Sequence, residues 1–264
     1  MTSVAESVAL KGGEFIVRDS TPTEIFIPDQ FGEESIMVAK TALDFLNNDI
    51  RPNTEKIEKQ EPGFSIGLMH KIGELGFLGI HMPEQYGGTD LDTNTNTLAT
   101  EVLGPMGSFS TTFAAHTGIG MLPILYFGTE EQKSKYLPKL INAELIASYC
   151  LTEPGSGSDA LAAKTKAELT QDGNHFILNG QKMWISNAGW ANLFIVFAQV
   201  YGNEWPNGKG GFSCFLIDAG TPGLTLGAEE KKLGIKGSST RMIFMENVKV
   251  PLENLLGEVG KGHL

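Results

Sequence analysis

The sequence predicts an α+β multidomain protein, with an all-α N-terminal domain followed by a middle domain built as a β-barrel or sandwich. Three observations predict it. Apolar residues recur at helical spacing from residue 35 to about 145. After Glu144 short β-type runs separated by Gly and Pro replace them. The 264 residues are enough for one large domain or two ordinary ones. The expected divisions are an arm over 1–34, a helical domain over 35–148, a barrel over 149–257, and over 258–264 the start of a further helical domain that is cut off.

Residues 1–34 carry Gly12, Gly13, Pro22 and Pro28 without a helical period, so an extended arm is expected. Its first arginine is Arg18 and no apolar core precedes it, so no secretory or transit leader is visible. Ile36, Leu43, Leu46 and Ile50 then form one helical stripe, closed by Pro52. Ile66, Met69, Ile72 and Leu75 form a second, with Gly76 as its stop. Residues 97–103 and 112–125 read as helix as well. Thr129-Glu130-Glu131-Gln132 fits a capping box, starting a helix that runs through Tyr136 and that Pro138 ends or kinks.

Past Glu144, Ile146–Leu151 is a short β-type run. Phe176–Leu178 and Met183–Ile185 flank Asn179-Gly180, a strong two-residue hairpin signal. Leu193–Val200 is continuously apolar, as a strand buried on both faces would be. Residues 212–218, 241–244 and 248–250 complete the strands, the last before Pro251.

Hydrophobic residues make up 41% and charged residues 19%, a composition that supports a core. Twenty Lys plus Arg against 31 Asp plus Glu give a formal charge of −11, which argues against a nucleic-acid partner. A small anionic ligand held by local amides is still compatible with it. The longest strongly apolar run has eight residues, whereas a membrane span needs about 20. Cys150 and Cys214 lie in apolar runs and read as reduced core thiols. The five histidines lack metal-ligand spacing, so no metal site is expected. A bacterial cytoplasmic location follows as the default, with the mitochondrial matrix as the alternative.

Three segments gather groups suited to a ligand. Tyr149-Cys-Leu-Thr-Glu-Pro-Gly-Ser-Gly-Ser-Asp159 runs from a strand into a loop whose glycines let amides and hydroxyls converge; an ordinary turn-rich loop has the same composition. Its Gly155-x-Gly157-x-x-Ala160 loosely fits the dinucleotide fingerprint, but no second strand ending in an acid follows. Trp184 and Ser186, two apart on a strand, share a face and offer either a stacking wall with a hydroxyl or a core Trp beside a surface Ser. Lys232–Arg241 brings Lys, Ser and Arg beside glycines, either for a phosphate or as a solvated loop.

Taken together, these segments resemble the acyl-CoA dehydrogenase family from about residue 35 onward. The resemblance rests on Tyr149–Asp159, Gly180-Gln-Lys-Met-Trp-Ile-Ser-Asn187, and Leu233–Thr240 with Val248–Pro251 and Asn254–Gly257. Phe127–Pro138 also looks like the family's helical-domain signature, and Ala115–Gly120 looks closest to its long- and very-long-chain branch. The family implies FAD between the barrel and a C-terminal four-helix domain, in a homodimer or homotetramer. It implies removal of the α-proton of an acyl-CoA substrate by a glutamate, hydride transfer to the flavin, and electron delivery to an electron-transfer flavoprotein.

Carried over by position, Tyr149, Cys150, Leu151, Thr152, Glu153, Pro154, Gly155, Ser156, Gly157 and Ser158 bind FAD, with Thr152 on the pyrimidine side. Trp184 packs on the isoalloxazine and Ser186 bonds near N5, with Ile185 between them also at the cofactor; Ser158 touches the substrate as well. The family's glutamate falls beyond Leu264, so no catalytic residue is assigned. The chain is therefore expected to be an inactive fragment that holds FAD weakly or not at all. An acyl-CoA oxidase-like flavoenzyme and a non-catalytic scaffold of the same fold are the alternatives.

Overall fold

The structure, a computed structural model, describes residues 10 and 12–263. The leader reading therefore lies largely outside the described residues, at 1–9. The rest of the arm is not simply extended. It holds one helical turn, α1 (Glu14–Val17), and two 3₁₀ turns at Pro22–Glu24 and Pro28–Gln30.

The α-helices that follow among the described residues are α2 (Glu33–Phe45), α3 (Thr54–Glu58), α4 (Phe64–Glu74), α5 (Thr93–Leu103), α6 (Ser108–Ala114), α7 (Leu122–Phe127) and α8 (Glu130–Ile141). A π-helical segment, Ala115–Gly120, joins α6 to α7. The stripe expected on the first long helix is rotated. Ile36 and Leu43 are exposed, whereas Ser35, Ala42, Phe45, Leu46 and Ile50 are buried. Side-chain size decides the facing here: Ser35 and Ala42 let α2 approach α5, where the Ser35 and Thr95 hydroxyls meet at 2.8 Å. Gly76 stops α4 as expected, in the left-handed region at φ +83°. The capping box of α8 is present: Thr129 Oγ1 accepts from the Gln132 N–H at 3.2 Å and Gln132 Oε1 from the Thr129 N–H at 3.1 Å. Pro138 does not end that helix, because the Asn142 N–H still reaches the Pro138 carbonyl at 3.2 Å and carries the turn to Ile141.

The strands are β1 (Ala147–Cys150), β2 (Lys166–Leu169), β3 (His175–Ser186), β4 (Leu193–Tyr201), β5 (Lys209–Asp218), β6 (Leu224–Glu229), β7 (Thr240–Pro251) and β8 (Leu255–Leu256). They form one mixed sheet in the order β6-β7-β3-β2-β4-β5-β8, with β1 also on β4. The apolar run of β4 is buried from Leu193 to Ala198, as its sequence predicts. β1 pairs in parallel with the first half of β4 and β2 in parallel with its second half. Together they act as one interrupted strand, and residues 151–165 leave the sheet at the break.

The Asn179-Gly180 hairpin does not form. Residues 175–186 are a single strand, paired with β2 on one edge and β7 on the other. Two long-range ladders override the local turn preference, and the Asn-Gly pair survives only as a register shift between Leu178 and Gly180. Gly180 is needed for close approach: a Cβ there would lie 2.5 Å from Thr165 Oγ1 and 2.8 Å from Thr165 Cα. Gly180→Ala is accordingly expected to cost about 1–3 kcal/mol, read as a lower urea midpoint; an unchanged midpoint would show that the strand yields.

Helices and sheet share a core. One apolar cluster lies within the helices, one within the sheet, and a third joins Ile124, Tyr136, Leu137 and Leu140 to Leu193, Ile195 and Phe197. His116 strengthens this junction. Its Nδ1 accepts from the Ala147 N–H at 3.1 Å, so Nε2 carries the proton and donates to the Leu140 carbonyl at 2.9 Å. Gln132 Nε2 adds bonds to the Glu253 and Leu255 carbonyls at 2.8 and 2.9 Å.

Candidate functional site

The break between β1 and β2 is held open by a buried ion pair. Lys182 Nζ, fully buried on β3, donates to Glu153 Oε1 at 2.7 Å and to the Leu151 carbonyl at 3.1 Å. The same carboxylate accepts from the Lys164 and Thr165 N–H groups at 2.6 and 3.0 Å. Burial drives the Glu153 pKa upward, but Lys182 and these donors outweigh it and hold the group below the usual carboxylate range. Burial lowers the Lys182 pKa, opposed by Glu153. Glu153 thus fixes both ends of the loop. Ser156 fixes its middle, pairing its backbone with Glu153 and donating Oγ to the Asp159 carbonyl at 2.8 Å.

The sequence-predicted residues divide by facing. Cys150 and Ile185 are buried in the sheet's core, and burial pushes the Cys150 thiol up to about 12. Both cysteines are free and buried, as expected. Pro154, Gly155, Gly157 and Ser158 are exposed, and Thr152 is half-buried. A Cβ on Gly155 or Gly157 would meet nothing within 4 Å, so the loop is open at both glycines.

Thr152 and Trp184 lie beside each other in the fold. The Met183 N–H donates to the Thr152 carbonyl at 2.8 Å, and Ser148 Oγ donates to the Ser186 carbonyl at 2.6 Å, so the first motif runs antiparallel to the second. A register shift between Lys182 and Ile185 puts Trp184 at φ +60°, and its indole is 54% exposed. A bulky residue held in the left-handed region marks a place where local strain is tolerated. Ile185 turns inward between Trp184 and Ser186, leaving those two on one side.

Ser186 also lines a cleft of about 580 Å³, whose other wall comes from α5, the 3₁₀ turn Gly104–Met106, α6 and the π segment: Leu103, Met106, Thr111, Phe113, Ala115, Gly118 and Ile119. None of these helical residues is a site candidate from sequence, where the resemblance at Ala115–Gly120 is the signal that covers part of them. Among the described residues no carboxylate lines this cleft. A larger cleft of about 1070 Å³ takes Tyr149 and Leu151, with Phe197 and Phe212. The Tyr149 ring lies 5.0 Å from Phe197, which stacks on Phe212 at 5.4 Å. That cleft contains none of Thr152, Trp184 and Ser186, whereas the smaller one holds Ser186, two residues from the exposed Trp184, and is taken as the candidate site.

The Lys232–Arg241 segment is engaged internally. Lys232 Nζ donates to the Ser238 carbonyl and to Thr240 Oγ1, and Arg241 Nε pairs with Glu229 Oε1 at 2.7 Å. Lys232 and Arg241 thus brace the loop, while Lys236 at its tip is exposed.

Comparison with known proteins agrees with this architecture. Residues 32–144 match the family model "Acyl-CoA dehydrogenase, N-terminal domain" and residues 148–248 match "Acyl-CoA dehydrogenase, middle domain". A probable acyl-CoA dehydrogenase of Bacillus subtilis (strain 168) is 49% identical over 254 residues, 96% of this chain and 42% of that protein. The human mitochondrial very long-chain specific acyl-CoA dehydrogenase is 44% identical over 194 residues, 72% of this chain and 30% of that protein. A Bacillus anthracis acyl-CoA dehydrogenase solved in complex with FAD superposes with a TM-score of 0.90 at 48% identity, over 97% of this chain and 43% of that one. The chain thus spans less than half the length of these relatives. On its two family domains and the fold they share, the chain belongs to the acyl-CoA dehydrogenase family.

Proposed function

We propose that this chain forms the flavin-facing and acyl-facing part of an FAD-dependent acyl-CoA dehydrogenase that desaturates a fatty acyl-CoA thioester. The supporting observation is what the end of β3 carries in four successive residues: the Met183 N–H bonds Thr152 at the start of the glycine-serine loop, Trp184 is exposed, and Ser186 lines the apolar cleft with the helices. The residues fit a flavin. The hydroxyls of Thr152, Ser158 and Ser186 and the N–H groups of Gly155, Gly157 and Ser158 make no hydrogen bond among the described residues, and the open glycines admit close approach. When bound, FAD supplies the two-electron acceptor, which an electron-transfer flavoprotein restores.

In this reading Thr152 and Ser186 orient the ring, Trp184 covers it and excludes water, and Ser158 reaches both cofactor and substrate. Tyr149, Cys150, Leu151, Glu153, Pro154, Gly155, Ser156, Gly157 and Ile185 hold the surface in shape around it. The divisions 1–34, 35–148, 149–257 and 258–264 are proposed as arm, helical domain, barrel and lead into a further helical domain. The whole enzyme is proposed as a homodimer or homotetramer. The proton-abstracting carboxylate is proposed to come from outside the described residues, since none lines the cleft. A panel from butyryl- to palmitoyl-CoA with an artificial electron acceptor is therefore expected to show no turnover by this chain; robust turnover would contradict that assignment.

Equilibrium dialysis of FAD tests the binding site. Thr152→Val and Trp184→Ala are each expected to retain FAD about fivefold less well than the wild type, the equivalent of one lost hydrogen bond or a lost aromatic contact. Equal retention by all three would refute the site.

A further inference from the structure

Asn187, directly after Ser186, is fully buried and has φ +64°. Its Nδ2 donates to the Thr112 carbonyl at 3.0 Å and to the Ala147 carbonyl at 3.4 Å. Its backbone N–H donates to the Ser239 carbonyl at 2.9 Å, and its own carbonyl accepts from the Trp190 and Ala191 N–H groups, both at 2.9 Å. Thr112 belongs to α6 and lies between Thr111 and Phe113, which line the cleft. Ala147 opens β1, which leads into the glycine-serine loop. One side-chain amide therefore ties the end of β3 to the cleft-lining helix and to the strand that carries the first motif. Asn187 Oδ1 has no hydrogen-bond partner among the described residues, so the connection runs through the N–H side of the amide.

From these bonds we infer that Asn187 is a positioning residue: it sets the distance between the flavin-facing wall of Trp184 and Ser186 and the acyl-facing wall of α6. The inference rests on the proposed function for the meaning of the two walls, while the mechanical link stands on the hydrogen bonds alone. The left-handed backbone restricts the position chiefly to Asn, Asp or Gly. Gly preserves the backbone and deletes the amide. Asp preserves shape and φ but has no N–H, and turns an oxygen toward two carbonyls.

Amide hydrogen exchange on the full chain separates backbone from amide. In Asn187→Gly, exchange over residues 108–120 is expected to accelerate at least about tenfold, as loss of one or two hydrogen bonds requires. Asn187→Asp should accelerate it further, while 193–201 stays as in the wild type. Unchanged protection of 108–120 in both variants would overturn the inference, since a residue serving only its own turn would loosen 186–191 alone. Should either variant fail to fold, the wild type decides. In low urea, 108–120 and 186–191 are expected to open in one step with a common denaturant dependence, and separate openings would overturn the link. A functional readout completes the test: with FAD bound, palmitoyl-CoA should perturb the flavin absorbance of the wild type and not of Asn187→Gly, with FAD retention itself unchanged. An equal perturbation in both would contradict the positioning role. Absence of FAD binding by the wild type even at millimolar FAD would instead count against the proposed function and leave the exchange result to decide the link.

Discussion

Lys182→Met is expected to destabilise the chain by about 3–5 kcal/mol. The substitution nearly preserves volume, so packing is not its main effect. It leaves the Glu153 carboxylate buried with two N–H donors and no counter-charge. Most of the cost is the desolvation of that charge, so Lys182→Met combined with Glu153→Gln should recover more than half of it. Urea unfolding of the single and double variants checks this. A double variant as unstable as the single would mean that the lysine acts through packing. The pair's pH dependence has a definite sign. The pKa of Glu153 is depressed in the folded chain, so its stabilisation is present above the ordinary carboxylate pKa and is lost as pH falls through the folded value. The penalty of Lys182→Met should therefore shrink on acidification.

His116 gives the second large effect. Burial lowers its pKa to about 4, with the bond to the Leu140 carbonyl opposing. Since the ordinary value is about 6.5, the unfolded chain takes up this proton first as pH falls. Stability from this group is thus full above about 6.5, declines from there toward about 4, and amounts to roughly 3 kcal/mol in all. A proton on Nδ1 would oppose the Ala147 N–H, so protonation releases the junction between the π segment and β1. His116→Asn should be less stable at pH 7 and should lose about one proton's worth of slope between pH 6.5 and 4 in denaturation curves. An identical slope in both proteins would show that this histidine is not held neutral.

What was legible in the sequence was largely local. The capping box of Thr129 and Gln132 needs only four residues, and the both-face burial of β4 is written in one apolar run. Asn179-Gly180 misled because its turn preference is also local, whereas β2 and β7 claim both edges of that segment. The phase of α2 misled because hydropathy favours Ile36 and Leu43, while the contact with α5 selects small Ser35 and Ala42. The site's outline was legible through motif resemblance, but its division into ligand-facing and structural residues was not. Cys150, Glu153 and Ile185 lie in the same motifs as Thr152 and Trp184 yet turn inward. Lys182 and Asn187 went unassigned because their partners are distant in sequence: Glu153 lies 29 residues from Lys182, and Thr112 75 residues from Asn187. One signal for the pair was available. Lys182 continues the inward alternation of Phe176 and Leu178, a place where a lysine needs an acid, and Glu153 is the acid the first motif offers.

The central claim is that loop, indole and helical cleft form one surface for a tricyclic ring, and an NMR titration of the isotope-labelled chain with FAD tests it most directly, weak binding included. The account predicts saturable shifts concentrated at Thr152, Gly155–Ser158 and Met183–Ser186, extending to Thr111 and Ala115 across the cleft. Saturable shifts gathered at Tyr149, Phe197 and Phe212 instead, or none at any of these positions at millimolar FAD, would contradict it.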